Sequence, residues 1–189
     1  MTILQINYNY HYSPFKGFYF EYEIEQTFSK IGDVEMRVNR LDYFISNLYK
    51  DLKILYINEL NIEKLGKAFK VPVCYTDLGS AYIRHNNRYA ILIDNTKEHY
   101  EQKEEFYHEL SHYILDHHLC GNAQLISYFE AKADNLIQYL AIPLHMIDQC
   151  DLTSPYATQL ISEAFGVSYE LAFKRIEQLK HLIKKEDLS

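Results

Sequence analysis

Residues 108–112 read His-Glu-Leu-Ser-His, and no other stretch restricts the fold of this chain as tightly. On an α-helix, side chains four residues apart face the same way, so His108 and His112 can offer nitrogens to one ion at about 2.0–2.1 Å, the usual zinc–nitrogen distance. Glu109 lies about 100° round the helix from His108, near enough to polarise a water beside that ion without ligating it. Phe106, Leu110, Tyr113 and Ile114 surround the motif, an apolar set that predicts a helix with one side pressed into a core. A solvated helix carrying two stray histidines has no need of them. The fold must bury one side of this helix and leave the other to chemistry.

A catalytic zinc takes three protein ligands and keeps a fourth position open. Two residues compete for third place. His118 lies six residues past His112, the spacing of HExxHxxGxxH, but Leu115 stands where that pattern has the glycine that turns the chain back. An unbroken helix aims His118 away from the ion. Glu130 sits on the following helix, after a connection containing Gly121 and Asn122. Asp134 lies one turn further on the same face, placed to accept a hydrogen bond from the spare nitrogen of a zinc-bound histidine, and the small Ala133 lets the two helices approach. The plain alternative is a solvated acidic face beside Lys132. Glu130 is preferred as third ligand, with Asp134 as the outer partner of a ligating histidine.

Periodicity places these residues. Leu41, Phe44, Ile45, Leu48 and Leu52 recur at helical spacing, and Asn61 offers a cap for a short helix, IEKLGKAF. VPVCY, AYIR and RYAILID read as strands, the last two joined by a turn in HNNR, and GFYFEYEIE alternates as a half-buried strand does. Helices follow through FYHELSHYIL and LISYFEAKADNLIQYLAI, the second halted by Pro143. The class is α+β: a small three-stranded or larger mixed sheet packed on the HExxH helix and a following ligand-bearing helix, with a C-terminal helical segment. Residues 1–50 form an amino-terminal segment of unassigned role, 51–150 the core that carries the zinc motif and 151–189 a helical tail.

Composition excludes several classes. At 189 residues, 48% hydrophobic and 24% charged, the chain can bury a core, which rules out global disorder. The polar start MTILQINYNYHY lacks the pattern of a signal peptide, and no apolar run suits a membrane span, so a cytoplasmic protein without membrane contact is expected. Cys74, Cys120 and Cys150 form no CxxC pair and are expected as small buried hydrophobes. The tail AFGVSYELAFKRIEQL has a helix-turn-helix cadence, and Lys174, Arg175 and Lys180 are placed to meet phosphates. Glu170 and Glu177 interleave with them and the net charge is −7, so packing or partner docking is expected there rather than direct DNA binding.

HELSHYILDHH, followed by EAKADNLIQYLAIP and preceded by RYAILID, resembles the ImmA/IrrE metallopeptidases, with a gluzincin-type HExxH plus downstream ExxxD arrangement. The resemblance covers about residues 55–180, including FGVSYELAFKRIEQL, and leaves residues 1–50 unmatched. It implies His108, His112 and Glu130 as metal ligands and Glu109 as the catalytic base. Zinc is the implied ion, with manganese an alternative, since divalent metals compete by availability as well as affinity. It further implies a protease of mobile elements, phages or stress regulons that cuts a helix-turn-helix repressor and so relieves repression.

A strand through Tyr89, Ala90, Ile91, Leu92, Ile93 and Asp94, if it lies at the sheet edge, is a candidate to pair with an extended substrate. His117, His118, Tyr139 and His145 are open candidates for an oxyanion donor. Two other functions compete: a non-proteolytic anti-repressor module that binds the repressor through the zinc-site scaffold, and a zinc hydrolase with another substrate. The intact Glu109 favours a hydrolase, because a structural zinc has no use for a general base.

Overall fold

The structure is a computed structural model that describes residues 28–31, 34–37, 39–85, 88–117, 122–147, 150–152 and 154–184. The strand expected over residues 17–25, the tip of the turn at Asn86 and Asn87, and the residues His118, Cys120 and Gly121 lie outside these. The class is α+β, with six α-helices and a small mixed sheet among the described residues. The described residues divide into two compact units, one of residues 61–137 and the other of those within 28–60 together with those within 138–184.

The unit of residues 61–137 begins with α2 (Ile62–Phe69), which Asn61 caps by accepting the Lys64 N–H at 2.9 Å. Its Gly66 lets β3 (Val73–Thr76) come close: a Cβ there would lie 2.8 Å from Val73 Cγ2. Strands β4 (Ala81–His85) and β5 (Arg88–Asp94) complete the sheet. Its order is β3-β5-β4, with β5 parallel to β3 (Val73 opposite Ile91) and antiparallel to β4 (Tyr82 opposite Ile91).

That order corrects one expectation. Residues Tyr89 to Asp94 form the central strand, whose backbone is paired on both sides and has no free edge for a substrate. Tyr89, Ile91 and Ile93 are buried instead, and Asp94 accepts from the Thr96 N–H (2.9 Å) and hydroxyl (2.7 Å), which holds its carboxyl below the usual range. β3 and β4 are the edges. Cys74 corrects another: on edge strand β3 it is exposed, and Cys150 is only half-buried.

α3 (His99–Ile114) lies over β5 and β4. Glu98 and Glu101 start it with a reciprocal capping box, in which the Glu98 N–H donates to Glu101 Oε2 at 3.0 Å. Phe106, Leu110, Tyr113 and Ile114 are buried, as the apolar pattern predicts. The Tyr113 ring meets those of Tyr82 and Tyr89 edge-on at 6.1 and 5.8 Å, and its hydroxyl donates to the Phe69 carbonyl at 3.0 Å. Aromatic packing and this bond fix the carboxyl end of the helix at the height of His112. α4 (Ala123–Ala141) follows, with Asn122 accepting the Leu125 N–H at 2.9 Å.

The second unit contains the hairpin β1 (Phe28–Ile31) and β2 (Val34–Arg37), helix α1 (Arg40–Asp51), the last residues of α4, α5 (Ala157–Phe165) and α6 (Tyr169–Lys184). Gly166, at φ 60°, ends α5, and Ser168 accepts the Leu171 N–H at 3.1 Å to open α6. The helix-turn-helix cadence is therefore real, but Arg175 does not face outward. It is fully buried: its guanidinium pairs with the buried Asp42, donates to the Ile142 carbonyl at 3.1 Å and lies 4.7 Å over the Tyr139 ring. Arg175 thus takes the packing role expected for this segment and is not available to phosphates, and Lys180 is engaged with Glu177 at 3.3 Å. Among the described residues no helix is long and apolar enough to cross a membrane.

Removing one member of a buried ion pair strands the other. Arg175→Met is expected to destabilise the second unit by about 3–5 kcal/mol, read as a lower urea midpoint, with Asp42→Leu in the same chain recovering part of the loss. An unchanged midpoint in the single variant would refute this account of the core.

Candidate metal centre

One turn of α3 separates His108 from His112, and the structure brings their Nε2 atoms to 3.0 Å. Glu130 of α4 places Oε2 3.1 Å from His108 Nε2 and 3.5 Å from His112 Nε2. The three side chains form a cluster with ligating atoms all within 4.8 Å of one another. Four ligands at about 2.0–2.1 Å around a tetrahedral ion stand about 3.3 Å apart, a spacing that the observed 3.0, 3.1 and 3.5 Å bracket. Two imidazoles and one carboxylate are also the donor chemistry of a zinc-type site with one position left over. The residues present fit a divalent ion.

The rest of each imidazole is held too. His108 Nδ1 lies 3.0 Å from Asp134 Oδ1, the pairing that the ExxxD spacing predicts. His112 is 1% exposed, and its Nδ1 lies 3.0 Å from Nδ1 of His117. Burial, then the neighbouring His108, holds His112 below the usual histidine value. His117 is pushed down to about 4, mainly by burial and next by His112.

Glu109 is buried, and the Tyr82 N–H of β4 donates to its Oε2 at 2.6 Å. Burial raises the carboxyl above its ordinary range, partly opposed by His108 and by that backbone donor. A carboxyl shifted upward and fixed beside the two imidazoles suits a group that takes up and returns a proton. Nearby, Ser80 binds both the Asp94 N–H (2.8 Å) and Glu105, which also pairs with Lys97. These contacts tie the first half of α3 to the sheet.

His108, Glu109, His112, Glu130 and Asp134 are thus brought together, while Tyr89–Asp94 are absorbed by the sheet. Tyr139 and His145, open candidates for an oxyanion donor, are engaged within the second unit, Tyr139 with Asn39 (3.4 Å) and Gln178, His145 edge-on to Tyr49 at 6.2 Å. His118 lies outside the described residues. The helix on which its exclusion rested is not unbroken: α3 ends at Ile114, and Asp116 adopts φ 51°. A left-handed aspartate one position later supplies the turn for which the HExxHxxGxxH pattern uses glycine, since Asp tolerates this conformation better than most side chains. His117 is the contact that sequence reasoning did not assign.

Residues 67–177 match the family model described as the IrrE N-terminal-like domain, a peptidase family. The chain is similar to the phage-like element PBSX protein XkdA of Bacillus subtilis (strain 168), 28% identical over 148 residues, which is 76% of this chain and 74% of that protein. It is also similar to the uncharacterized protein YqaB of the same organism, 26% identical over 145 residues, 73% of this chain and 83% of that protein.

Metal analysis after dialysis checks the centre directly. Wild type is expected to retain one divalent ion per chain, and Glu109→Gln to retain it as well. His112→Ala and Glu130→Ala are expected to weaken binding by more than the roughly 10–100-fold that loss of an outer partner costs. Full retention in Glu130→Ala would remove Glu130 from the ligand set.

Proposed function

The chain belongs to the peptidase family of IrrE N-terminal-like domains, and from that premise we propose that it is a zinc-dependent, site-specific endopeptidase whose substrate is a helix-turn-helix transcriptional repressor. The observation that carries the reading is the convergence of His108, His112 and Glu130 beside the buried Glu109. A zinc ion held by those three side chains supplies Lewis acidity, which makes water nucleophilic near neutral pH and polarises a carbonyl; manganese suits the same donors.

The chain's own residues do the remaining work. Glu109 takes a proton from the attacking water onto its carboxylate and returns it to the departing amine nitrogen. The Tyr82 N–H at 2.6 Å keeps that carboxylate aimed, and its upward shift makes it a better proton carrier near neutrality than an exposed glutamate. Tyr82 directs this N–H away from β5, from a strand at the sheet edge. An extended substrate segment adds alongside β4, and side-chain pockets there select which bond is cut.

The proposed substrate class is supported by the resemblance to repressor-cutting peptidases and by the similarity to a protein named for a phage-like element. A net charge of −7 complements a basic DNA-binding partner, and such a partner places the activity in the cytoplasm. Cleavage of the repressor releases its genes.

Co-expression with the repressor encoded nearest this gene, comparing wild type with Glu109→Ala, separates the readings. Cleavage and derepression by wild type alone are the expected result. Derepression that survives in Glu109→Ala without a cut would establish the non-proteolytic anti-repressor module instead, and hydrolysis of other peptides with the repressor left intact would establish a different substrate.

A further inference from the structure

The two imidazoles of the centre are backed in different ways. His108, 24% exposed, meets a carboxylate that is itself 61% exposed, Asp134. His112 is sealed from water, and what faces its second nitrogen is another imidazole. An imidazole that offers a bare Nε2 to an ion must carry its proton on Nδ1, and a buried N–H requires an acceptor. The Nδ1–Nδ1 separation of 3.0 Å between His112 and His117 is a hydrogen bond, so a single proton lies between the two atoms.

From this geometry we infer that His117 is a positioning residue for His112: its bare Nδ1 accepts the His112 Nδ1–H and fixes the tautomer whose Nε2 is free for the ion. The inference rests on the metal-site reading given above and adds to it a residue that is not a ligand.

The chain around His117 is built for this contact. α3 ends in a reversal in which the Asp116 N–H donates to the Tyr113 carbonyl at 3.3 Å and the His117 N–H to the His112 carbonyl at 3.0 Å. Backbone and side chain of His117 therefore both bond to His112. The reversal needs φ 51° at Asp116, and Arg84 of β4 holds that aspartate at 3.0 Å. The His117 ring stacks on Phe129, with centroids 4.3 Å apart and planes at 22°. Phe129 precedes Glu130 on α4, so one stacking contact sets the acceptor's orientation against the helix that brings the third ligand. An imidazole also satisfies the buried N–H without placing a carboxylate on the sealed side of the centre.

Long-range proton–nitrogen NMR of the wild-type chain at neutral pH, metal-free and with zinc, tests the assignment. The expected pattern is a proton on Nδ1 of His112 and on Nε2 of His117; a His117 ring protonated at Nδ1 overturns the inference. Two variants extend it. His117→Phe keeps the ring stack and removes the acceptor, whereas His117→Asn restores an acceptor oxygen. Zinc affinity by chelator competition is expected to fall about 10–100-fold in the first and to stay within about 3-fold of wild type in the second.

Wild-type affinity in His117→Phe would overturn the inference while leaving the metal reading intact. Absence of zinc uptake by the wild type would sink the metal reading, and the His117 proton in the metal-free spectrum then still decides the pairing. If His117→Phe does not fold, by circular dichroism, the wild-type spectrum and the asparagine variant decide alone.

Discussion

Two ring nitrogens facing each other across 3.0 Å cannot both carry a proton, and a carboxylate oxygen 3.1 and 3.5 Å away does not change that. Such a cluster turns three ligating atoms onto one point, where they can share a proton or a cation. The surrounding structure fixes it in place. Buried Leu110 and Tyr113 pin α3 to the sheet, the capping box at Glu98 and the Ser80–Glu105–Lys97 contacts hold its start, and Asn122 opens α4 so that Glu130 arrives opposite. Ala133, fully buried between Glu130 and Asp134, lets the acidic face lie near α3.

How much of this was legible in the sequence follows from how local each feature is. HELSH, its apolar flanks, the Asn61 cap and the Glu130–Asp134 spacing depend on helical geometry over a few residues, and all of them reappear. The place of Tyr89–Asp94 in the sheet did not follow, because alternation reports which residues face a core but not which strand pairs with which. β5 takes the centre only because, after a connection containing β4, it returns parallel to β3. For Arg175 the interleaved Glu170 and Glu177 already pointed to packing, but its partner was not legible, because Asp42 lies 133 residues away.

His117 was hidden by a single backbone angle. From sequence, Leu115 argued for a continuous helix, and a continuous helix carries His117 away from His112. The reversal runs through Asp116 instead, one position later, with Arg84 neutralising it from a strand that no local reading connects to this turn. Where a conformation depends on a tertiary ion pair, pattern alone cannot announce it.

The unequal exposure of the ligands has a kinetic consequence. His112 is closed off at 1% exposure, whereas the Glu130 side chain is 41% exposed and Asp134 61%. An ion held by these residues would meet solvent on the side of the α4 carboxylates and a closed wall of His112 and His117 on the other, so a polypeptide lying over those carboxylates would slow its escape without touching any bond that holds it.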